Sequence, residues 1–433
     1  MRKVNIGLVG CGTVGSGVVQ GLARNGSLMG SRLGVKLSLA GVAVRNAGKA
    51  RAARVAKRLI TTDWESLVRD PKIDVVMELM GGTTTARKVV AEALKLGKPV
   101  ITANKALISA HGESIFRQVE KDGGNLYYEA AVAGGIPIIK SLREGLSGNR
   151  IQRLYGILNG TCNYILSEME QTGADFGDML RAAQEKGFAE ADPTFDVEGV
   201  DAAHKLAILA AIGFGARVDF DAVATTGIGE VQASDIKQAN VLGYVIRLVG
   251  IASLDESDDE ARLLQRVRPC LVPRGHPLAA VTGPTNAVVA EGNFSGRLLF
   301  QGAGAGAGPT ASAVVADLID IARGDSGAPF SVPVEELEPF APADPGNRVG
   351  RDYIRFTVTD RPGVLAEITA AMRDAEVSIE SLIQRGRDDE GGEVLVAMVT
   401  HEGPERCVTK ALELLEGSPS LTAPPLVMPI LGA

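Results

Sequence analysis

The sequence predicts an α/β protein of three parts. These are a Rossmann-type parallel-sheet domain, an α+β substrate-binding, catalytic and dimerisation domain, and a C-terminal ferredoxin-like unit with the element order βαββαβ. Three observations lead to this prediction: the chain opens on an apolar strand and a glycine-rich turn, strands and helices alternate up to about residue 133, and a proline-rich segment at 324–350 precedes a separate set of elements.

The first element is a short apolar strand from Val4, which runs into Gly10-x-Gly12-x-x-Gly15 and then into a helix from Ser16. Glycines at this spacing permit a tight turn and let a pyrophosphate approach the amides at the helix N-terminus. We therefore expect a dinucleotide to bind at Gly10, Gly12, Thr13, Val14 and Gly15.

The second strand, 35–44, ends at Arg45, where folds that select NAD usually carry an acid for the ribose hydroxyls. An arginine there would meet a 2′-phosphate, so the sequence favours NADP, with NAD possible. The alternative is a solvated arginine at a strand end. The interval between glycine motif and Arg45 is long, and we interpret 25–34 as an inserted loop.

Two further strands are expected at 74–80 and 98–105. The second ends in a polar tip with Asn104 and Lys105. Ligands in doubly wound sheets gather at the carboxyl ends of strands, so these two residues should lie near a nicotinamide or a substrate. The alternative for Lys105 is an ordinary surface lysine.

The middle region, 134–301, mixes helices with short strands and carries an acidic loop before a helix that begins near Val200. Asp192-Pro193 cannot lie inside a helix, whereas Asp201 and Lys205 stand four residues apart on one face of the following one. An exposed salt bridge is the simplest interpretation. The acidic loop and the apolar remainder of the helix favour a buried functional pair instead.

A glycine-rich stretch at 302–308 lies between an apolar strand and a helix, so it is not a linker. We expect the chain to return there to the first domain, which residues 302–323 would complete, with Gly302 close to the cofactor. Residues 324–350 hold five prolines and form the predicted linker.

Residues 351–433 form the predicted third unit, whose middle strands flank the turn Asp388–Gly392. The turn Asp360-Arg-Pro-Gly-Val-Leu365 after its first strand, together with the complete element order, resembles an ACT domain, a small-molecule sensor of amino-acid biosynthetic enzymes.

Composition narrows the function. The net charge of −7 and the pI near 5.4 argue against a nucleic-acid partner. No apolar stretch is long enough to span a membrane and no signal peptide is recognisable, so a cytoplasmic location is expected. The four cysteines and four histidines show no metal-ligand spacing.

The whole chain resembles the homoserine dehydrogenases of the monofunctional, ACT-containing kind. The most specific match is 183–205, with Gly187, Asp192-Pro193, Asp196, Gly199, Asp201 and Lys205 in register. Further matches are Thr102-Ala-Asn-Lys105, Glu129-Ala-Ala-Val-Ala-Gly-Gly-Ile-Pro137, Asn159-Gly-Thr-Cys-Asn-Tyr164 and the region of Gly302.

The resemblance implies interconversion of L-homoserine and L-aspartate 4-semialdehyde in threonine and methionine biosynthesis. Lys205 would donate the proton, Asp201 would orient its ammonium, and Lys105 would hold substrate and nicotinamide. Thr102 and Gly187 join the implied cofactor site. The substrate would contact Gly160, Thr161, Glu190, Asp196 and Asp201.

The resemblance also implies three further partners. A sodium ion would bind main-chain carbonyls around Glu129, Val132, Gly134 and Ile136. Threonine is the expected feedback effector, bound by a pair of ACT domains, and the chain would form a homodimer or homotetramer.

Two alternatives remain from the residues alone. One is another NAD(P)-dependent dehydrogenase on the same scaffold, which tests with homoserine and other hydroxy acids would distinguish. The other is a catalytically silent sensor of a nucleotide and an amino acid. Lys105 and Lys205 argue against the sensor, since a sensor needs no proton donor.

Overall fold

The computed structural model describes residues 2–47, 54–122, 124–256, 260–325, 328–385 and 392–432. These ranges form a parallel six-stranded sheet, a mostly antiparallel six-stranded sheet and a four-stranded antiparallel sheet. The fold class expected from the sequence is confirmed.

The first sheet has the strand order β3-β2-β1-β4-β5-β6, and all its pairs are parallel. The order reverses between β1 and β4, which opens a ligand crevice at the carboxyl ends of the strands. Its strands are β1 Arg2–Val9, β2 Val35–Ala43, β3 Ile60–Thr61, β4 Val75–Glu78, β5 Val100–Thr102 and β6 Leu126–Tyr127. Its helices are α1 Thr13–Leu33, α2 Trp64–Arg69, α3 Thr84–Lys95 and α4 Lys105–Asp122.

The prediction of an inserted loop at 25–34 is wrong, because α1 continues to Leu33 and ends at Gly34 with φ +67°. The composition of this stretch, rich in Gly, Ser and Asn, is weakly helical. Tertiary packing overrides that preference: Met29 and Gly30 are buried, and Gly30 lies close to the backbone of Val35.

The second sheet has the strand order β12-β11-β7-β9-β10-β8. Its strands are β7 Ile151–Ile157, β8 Ala224–Thr225, β9 Tyr244–Asp255, β10 Arg262–Pro273, β11 Thr285–Gly292 and β12 Gly296–Ala303. The helices of this region are α5 Ile138–Lys140, α6 Gly160–Thr172, α7 Phe176–Glu185, α8 Thr194–Val197, α9 Val200–Phe214 and α10 Ala233–Val241. Helix α9 is buried on nearly every side, as its apolar sequence predicts.

After β12 the chain returns to the first sheet as α11, Ala307–Arg323. Val314 and Leu318 share one core with Ile6 and Leu8 of β1, and all four are fully buried. The contact with α1 is close, since a Cβ added at Gly17 would lie 2.1 Å from the carbonyl oxygen of Ala307. Glycine at position 17 is therefore required for this helix pair to pack.

The connecting segment that follows α11 is packed against the rest of the protein in its described part. Phe330 is fully buried and meets the ring of Phe116 edge to face, with centroids 4.5 Å apart. Further along, Glu120 accepts a hydrogen bond from the amide of Val334 at 2.7 Å. The proline-rich composition therefore gives an extended strap and not a free tether.

The C-terminal unit has the strand order β15-β16-β14-β18. Its elements are β14 Asp352–Thr359, α12 Val364–Asp374, β15 Ile379–Arg385, β16 Glu393–Thr400, α13 Glu405–Leu414 and β18 Leu421–Pro429. A two-stranded ladder of β13 Val349–Gly350 and β17 Gly403–Pro404 closes its base. The predicted βαββαβ order is present, although most of the turn Asp388–Gly392 lies outside the described residues.

Charged groups fix this unit to the second domain. Asp235 of α10, fully buried, accepts hydrogen bonds from Tyr353 at 2.9 Å and from Arg355, both on β14. Glu405 at the start of α13 pairs with Arg266 at 2.7 Å and with Arg268 at 3.1 Å, both on β10. A buried charge left unpaired is costly, so these contacts favour one docked arrangement.

Candidate active site

Lys205 and Asp201 lie one turn apart at the buried start of α9. The Lys205 ammonium donates to Asp201 Oδ2 at 2.6 Å and to the carbonyl oxygen of Leu158 at 2.7 Å, and both side chains are at least nine-tenths buried. The predicted functional pair is therefore not an exposed helix salt bridge. Gly199, with φ +81°, lets the chain turn sharply into this helix.

Lys105 reaches the same carboxylate from the other domain. It is the first residue of α4, and its ammonium lies 3.1 Å from Asp201 Oδ1 with about a third of the side chain exposed. Asn104 positions it, because the Asn104 side chain accepts from the amide of Leu107 at 3.1 Å and donates to the carbonyl of Gly82 at 2.6 Å. One carboxylate thus joins two lysines that are a hundred residues apart in sequence.

The charge of this cluster follows from its contacts. Burial pushes the pKa of Asp201 upward, but the ammoniums of Lys205 and Lys105, with hydrogen bonds from Lys205 and Asn159, outweigh it and hold the pKa well below its ordinary value. Asp201 is therefore ionised throughout the physiological range. It holds the Lys205 ammonium in one orientation.

A second layer of polar side chains surrounds Asp201. Asn159 donates to Asp201 Oδ2 at 2.9 Å and to Asp196 Oδ1 at 2.7 Å, while Thr161 donates to the carbonyl of Phe188 at 2.8 Å. Burial raises the pKa of Asp196, against the lowering effect of the Asn159 hydrogen bond. Asn159 also caps α6, so the first amides of that helix, at Gly160 and Thr161, lie beside the two carboxylates.

The loop between α7 and α8 carries the remaining predicted residues on this side. Gly187 adopts φ +75° after α7, and Phe188 links the loop to Thr161. Glu190 is exposed, and its carboxylate makes no hydrogen bond or ion pair with the described residues. The structure therefore leaves the Glu190 carboxylate free to meet a ligand.

A cleft of about 510 Å³ lies above the carboxyl ends of β1, β2 and β4. Gly10 adopts φ +100°, and a Cβ there would lie 2.5 Å from the carbonyl oxygen of Leu79, whereas a Cβ on Gly12 would meet open space. Gly15 packs on Gly10, because a Cβ added at Gly15 would lie 2.3 Å from the carbonyl oxygen of Gly10. Gly10 and Gly15 thus build the turn, and Gly12 leaves room for a phosphate. Thr13 and Val14 supply the first amides of α1.

Arg45 lines this cleft, as the sequence predicts, and is exposed. Thr62 and Trp64 line it as well. Neither was expected, and the one available signal was that Trp64 is the only tryptophan of the chain. An indole at this rim offers a flat apolar surface for a base.

Thr102 and Asn104 turn inward rather than toward the cleft. The fully buried Thr102 hydroxyl donates to Glu78 Oε2 at 2.7 Å, and the amide of Asn104 donates to Thr102 Oγ1 at 3.1 Å. Burial raises the pKa of Glu78, against hydrogen bonds from Thr102 and Met80. These side chains hold the tips of β4 and β5 together, and thereby fix the origin of α4.

The glycine-rich stretch after β12 packs against the segment that holds the predicted sodium ligands. A Cβ on Gly134 would lie 2.4 Å from the carbonyl oxygen of Gly304, and a Cβ on Gly302 would lie 3.2 Å from Ile136. A Cβ on Gly304 would lie 2.2 Å from the buried side chain of Asn286. Gly134 and Gly304 are therefore required for contact between these protein segments, while a side chain at Gly302 would crowd Ile136.

Asn286 was not expected in the site. Its side-chain amide donates to the carbonyl of Leu158 at 2.8 Å, the same oxygen that accepts from Lys205. No sequence pattern marks it.

Glu129 begins the segment that contains Val132, Gly134 and Ile136. Its carboxylate accepts hydrogen bonds from the amides of Ile139 at 2.9 Å and Lys140 at 2.7 Å, while burial raises its pKa to about 7. Ala133 and Gly134 are both left-handed, at φ +53° and +46°. Left-handed alanine is strained by about 1–2 kcal/mol, so this turn is maintained by its surroundings.

An aromatic stack borders the lysines. The ring of His204 lies parallel to Phe220, with centroids 4.0 Å apart, and stacks on Phe195 at 5.7 Å. The Lys105 ammonium lies 5.7 Å from the centre of the Phe195 ring. Burial lowers the pKa of His204, and the charge of Lys105 lowers it further. His204 is therefore a neutral neighbour that supports Phe195.

The site combines a dinucleotide cleft, an ammonium fixed by an ionised carboxylate, and helix amides suited to an anionic group. Among the described residues, no three His, Cys, Asp or Glu side chains stand close enough to hold one metal ion. None of the helices in the described part of the chain combines the length and apolar character needed to cross a bilayer. This arrangement can protonate or deprotonate an oxygen next to a nicotinamide.

Three family models match the chain. Residues 10–129 match "Homoserine dehydrogenase, NAD binding domain", residues 137–319 match "Homoserine dehydrogenase" and residues 353–416 match "ACT domain". The homoserine dehydrogenase of Pseudomonas aeruginosa is 43% identical over 430 residues, which cover 98% of each chain. That of Corynebacterium glutamicum is 41% identical, with 97% of this chain and 94% of the relative covered.

Solved structures agree. The homoserine dehydrogenase of Thiobacillus denitrificans is similar over 100% of this chain and 99% of its own, with a TM-score of 0.92 and 42% identity. A hyperthermophilic archaeal homoserine dehydrogenase in complex with NADPH is similar over 74% of this chain and 97% of its own, with a TM-score of 0.61 and 26% identity. The resemblance inferred from the motifs is confirmed.

Proposed function

The chain belongs to the homoserine dehydrogenase family, and we propose that it interconverts L-homoserine and L-aspartate 4-semialdehyde with NADP as its preferred cofactor. The observation that carries the proposal is the pair of ammoniums, Lys105 and Lys205, on the single carboxylate of Asp201. This arrangement argues against the alternative of a catalytically silent sensor, since nucleotide binding alone requires no buried lysine paired with a carboxylate.

Bound nicotinamide would supply or accept the hydride at the substrate carbon. Reducing the aldehyde places negative charge on its oxygen, which a positioned acid must neutralise. Lys205 is the proposed donor of that proton, because its ammonium is held at 2.6 Å by Asp201 and is otherwise bonded to a neutral carbonyl. In the oxidation of homoserine, the neutral amine would take the hydroxyl proton.

Substrate contacts are proposed on the loop between α7 and α8 and at the start of α6. Glu190 would pair with the substrate ammonium, and Asp196 and Asp201 would make that region acidic. The amides of Gly160 and Thr161 would receive the substrate carboxylate, in the way that helix N-termini bind anions. The partial exposure of Lys105 supports a second direct contact with the ligand, beside that of Lys205.

Cofactor selection is assigned to Arg45. A planar guanidinium suits a phosphate, to which it can make two parallel charge-assisted hydrogen bonds. The archaeal relative named above was solved with NADPH, which supports the same cofactor for this chain. Thr62 and Trp64 line the same cleft and would contact the adenosine half.

A sodium ion is proposed at the turn 129–136. The Glu129 side chain is occupied by two backbone amides, so the donors available to an ion are main-chain oxygens, as expected from the resemblance. Neutral oxygens suit a hard monovalent cation. The strained Ala133 supports a binding role for this turn, since such conformations persist where function or packing maintains them.

Feedback by threonine through a pair of ACT domains is the proposed regulation. Its support is the docking of this unit on the second domain through Asp235 and Glu405, which gives an effector a route to the catalytic part.

A homodimer or homotetramer is proposed from β12, an edge strand with partly exposed apolar side chains, and from Phe294, which is 84% exposed.

One assay tests the proposed function. Purified protein is given homoserine with NADP or NAD, and reduction of the cofactor is followed by absorbance, with and without threonine, lysine or methionine. We expect homoserine-dependent reduction, faster with NADP at low concentration. Equal rates with other hydroxy acids would favour a different dehydrogenase. Complete inactivity with bound NADP would favour the sensor.

A further inference from the structure

A cavity of about 590 Å³ lies where the second domain, the connecting segment and the C-terminal unit meet. Its walls come from β9 and β10, from residues 348–351 and from the chain after β18. It shares no lining residue with the dinucleotide cleft or with the lysine pair. Its size is ordinary for a metabolite site.

Four arginines line this junction cavity: Arg153 of β7, Arg266 of β10, Arg348 of the connecting segment, and Arg351, which directly precedes β14 of the C-terminal unit. Among the lining residues that the structure describes, the one acid is Glu402, which is exposed. Guanidinium groups that converge from separate elements usually face an anion, either a carboxylate of the protein or an anionic group of a ligand.

Protein carboxylates satisfy these arginines only in part. Glu405 alone pairs with Arg266, Arg268 and Arg348, at 2.7, 3.1 and 2.7 Å. Arg348 also meets Asp352, and Arg351 meets the exposed Glu380. Counted over the described residues, the four lining arginines and the neighbouring Arg268 share three partner carboxylates within ion-pair distance.

Arg153 is the clearest case. Its guanidinium lies over the ring of Tyr155 at 4.5 Å, and no carboxylate in the described ranges comes within ion-pair distance of it. The Nε atoms of Arg266 and Arg351 are also buried without a hydrogen-bond partner. Buried donors without partners cost about 1–3 kcal/mol each, so the cluster retains unused capacity for an anion.

We propose that the junction cavity binds a small metabolite anion, with a carboxylate or phosphate group on Arg153 and Arg351 and an apolar portion against Ile251, Leu264 and Ile430. Such a ligand would touch the second domain through Arg153 and the C-terminal unit through Arg351. It would therefore stabilise the docked position of the C-terminal unit, separately from any effector between ACT domains.

Isothermal titration calorimetry on the full-length protein tests this, with NADP saturating so that phosphate sites in the dinucleotide cleft are filled. The two probes are inorganic phosphate and succinate, which distinguish a phosphate from a dicarboxylate. The variants are Arg153→Gln and Arg351→Gln. Arg150→Gln is the matched control, because Arg150 is an exposed arginine outside the cavity.

We expect saturable binding of at least one probe, weakened tenfold or more in Arg153→Gln and Arg351→Gln and unchanged in Arg150→Gln. Thermal unfolding of each variant, measured alongside, verifies that it is folded. A raised unfolding temperature with the binding probe, absent in Arg153→Gln, is the second expected result. The proposal is overturned if neither probe binds the wild type, or if the folded variants bind as the wild type does.

Discussion

Replacing Lys205 by methionine removes the ammonium while keeping an unbranched side chain of similar length. If Lys205 is the proton donor, turnover should fall by about 10²–10⁴-fold, the usual effect of losing a general acid. This corresponds to roughly 2.7–5.4 kcal/mol in activation free energy. The Michaelis constant for NADP should change little, since the ammonium lies on Asp201 and Leu158.

The structure indicates that this variant will fold. Without Lys205, Asp201 keeps Lys105 at 3.1 Å and Asn159 at 2.9 Å, and the Leu158 carbonyl keeps Asn286 at 2.8 Å. Neither acceptor is left without a hydrogen-bond partner. The free energy of unfolding should therefore fall by about 1–2 kcal/mol, and not by the roughly 3–5 kcal/mol expected when a buried charge loses its only partner.

The assay is steady-state turnover at saturating homoserine and NADP, with Lys237→Met, an exposed lysine of α10, as the matched control. In Lys205→Ala, whose shortened side chain vacates the position of the ammonium, added methylamine should partly restore turnover, and it should not affect the control. Turnover within threefold of wild type in a folded Lys205→Met protein would refute the assignment.

The other predictions concern the cofactor, the substrate, the effector and pH. Arg45→Ala should raise the Michaelis constant for NADP tenfold or more and leave that for NAD nearly unchanged, because a contact with the 2′-phosphate is worth roughly 1.5–3 kcal/mol; equal effects on both would count against it. Glu190→Ala should mainly raise the Michaelis constant for homoserine, and a pure turnover defect would contradict its role. Deletion from Gly350 onward should keep dehydrogenase activity and abolish threonine sensitivity. The deletion is combined with Asp235→Asn, because the Asp235 carboxylate loses its partners on β14. Unchanged inhibition by threonine would place the effector elsewhere. Asp201 has a depressed pKa, so its ionised form adds stability above about pH 4 that is lost on acidification. The difference in unfolding temperature between wild type and Asp201→Asn should therefore shrink from pH 6 to pH 3, and a constant difference would argue against this linkage.

Local patterns explain what could be predicted from the sequence. The glycine spacing from Gly10 to Gly15 and the four-residue interval between Asp201 and Lys205 each encode a geometry within one or two turns. The convergence of Lys105 on Asp201 could not be read in this way, because it depends on how two domains dock. Family resemblance, and not periodicity, indicated that these residues share a site.

Other features carry no pattern in the sequence. Asn159 and Asn286 act by satisfying backbone and carboxylate groups, a role that any asparagine could have. The helix from Asn25 to Leu33 forms against its local composition because Met29 is buried there. Glu405 shows the same limit, since its three arginine partners lie 57 to 139 residues away in sequence.

The burial of Phe330 affects the chain entropy of the segment that connects the C-terminal unit to the rest of the protein. A module on a free chain would explore a large volume, and each docking event would require a loss of chain entropy, described by an effective concentration in the millimolar range. Because Phe330 is anchored beside Phe116, that entropy is lost once, when the protein folds. The binding free energy of an effector on the C-terminal unit is then available to change the conformation of the catalytic part. None of that free energy is needed to dock the C-terminal unit.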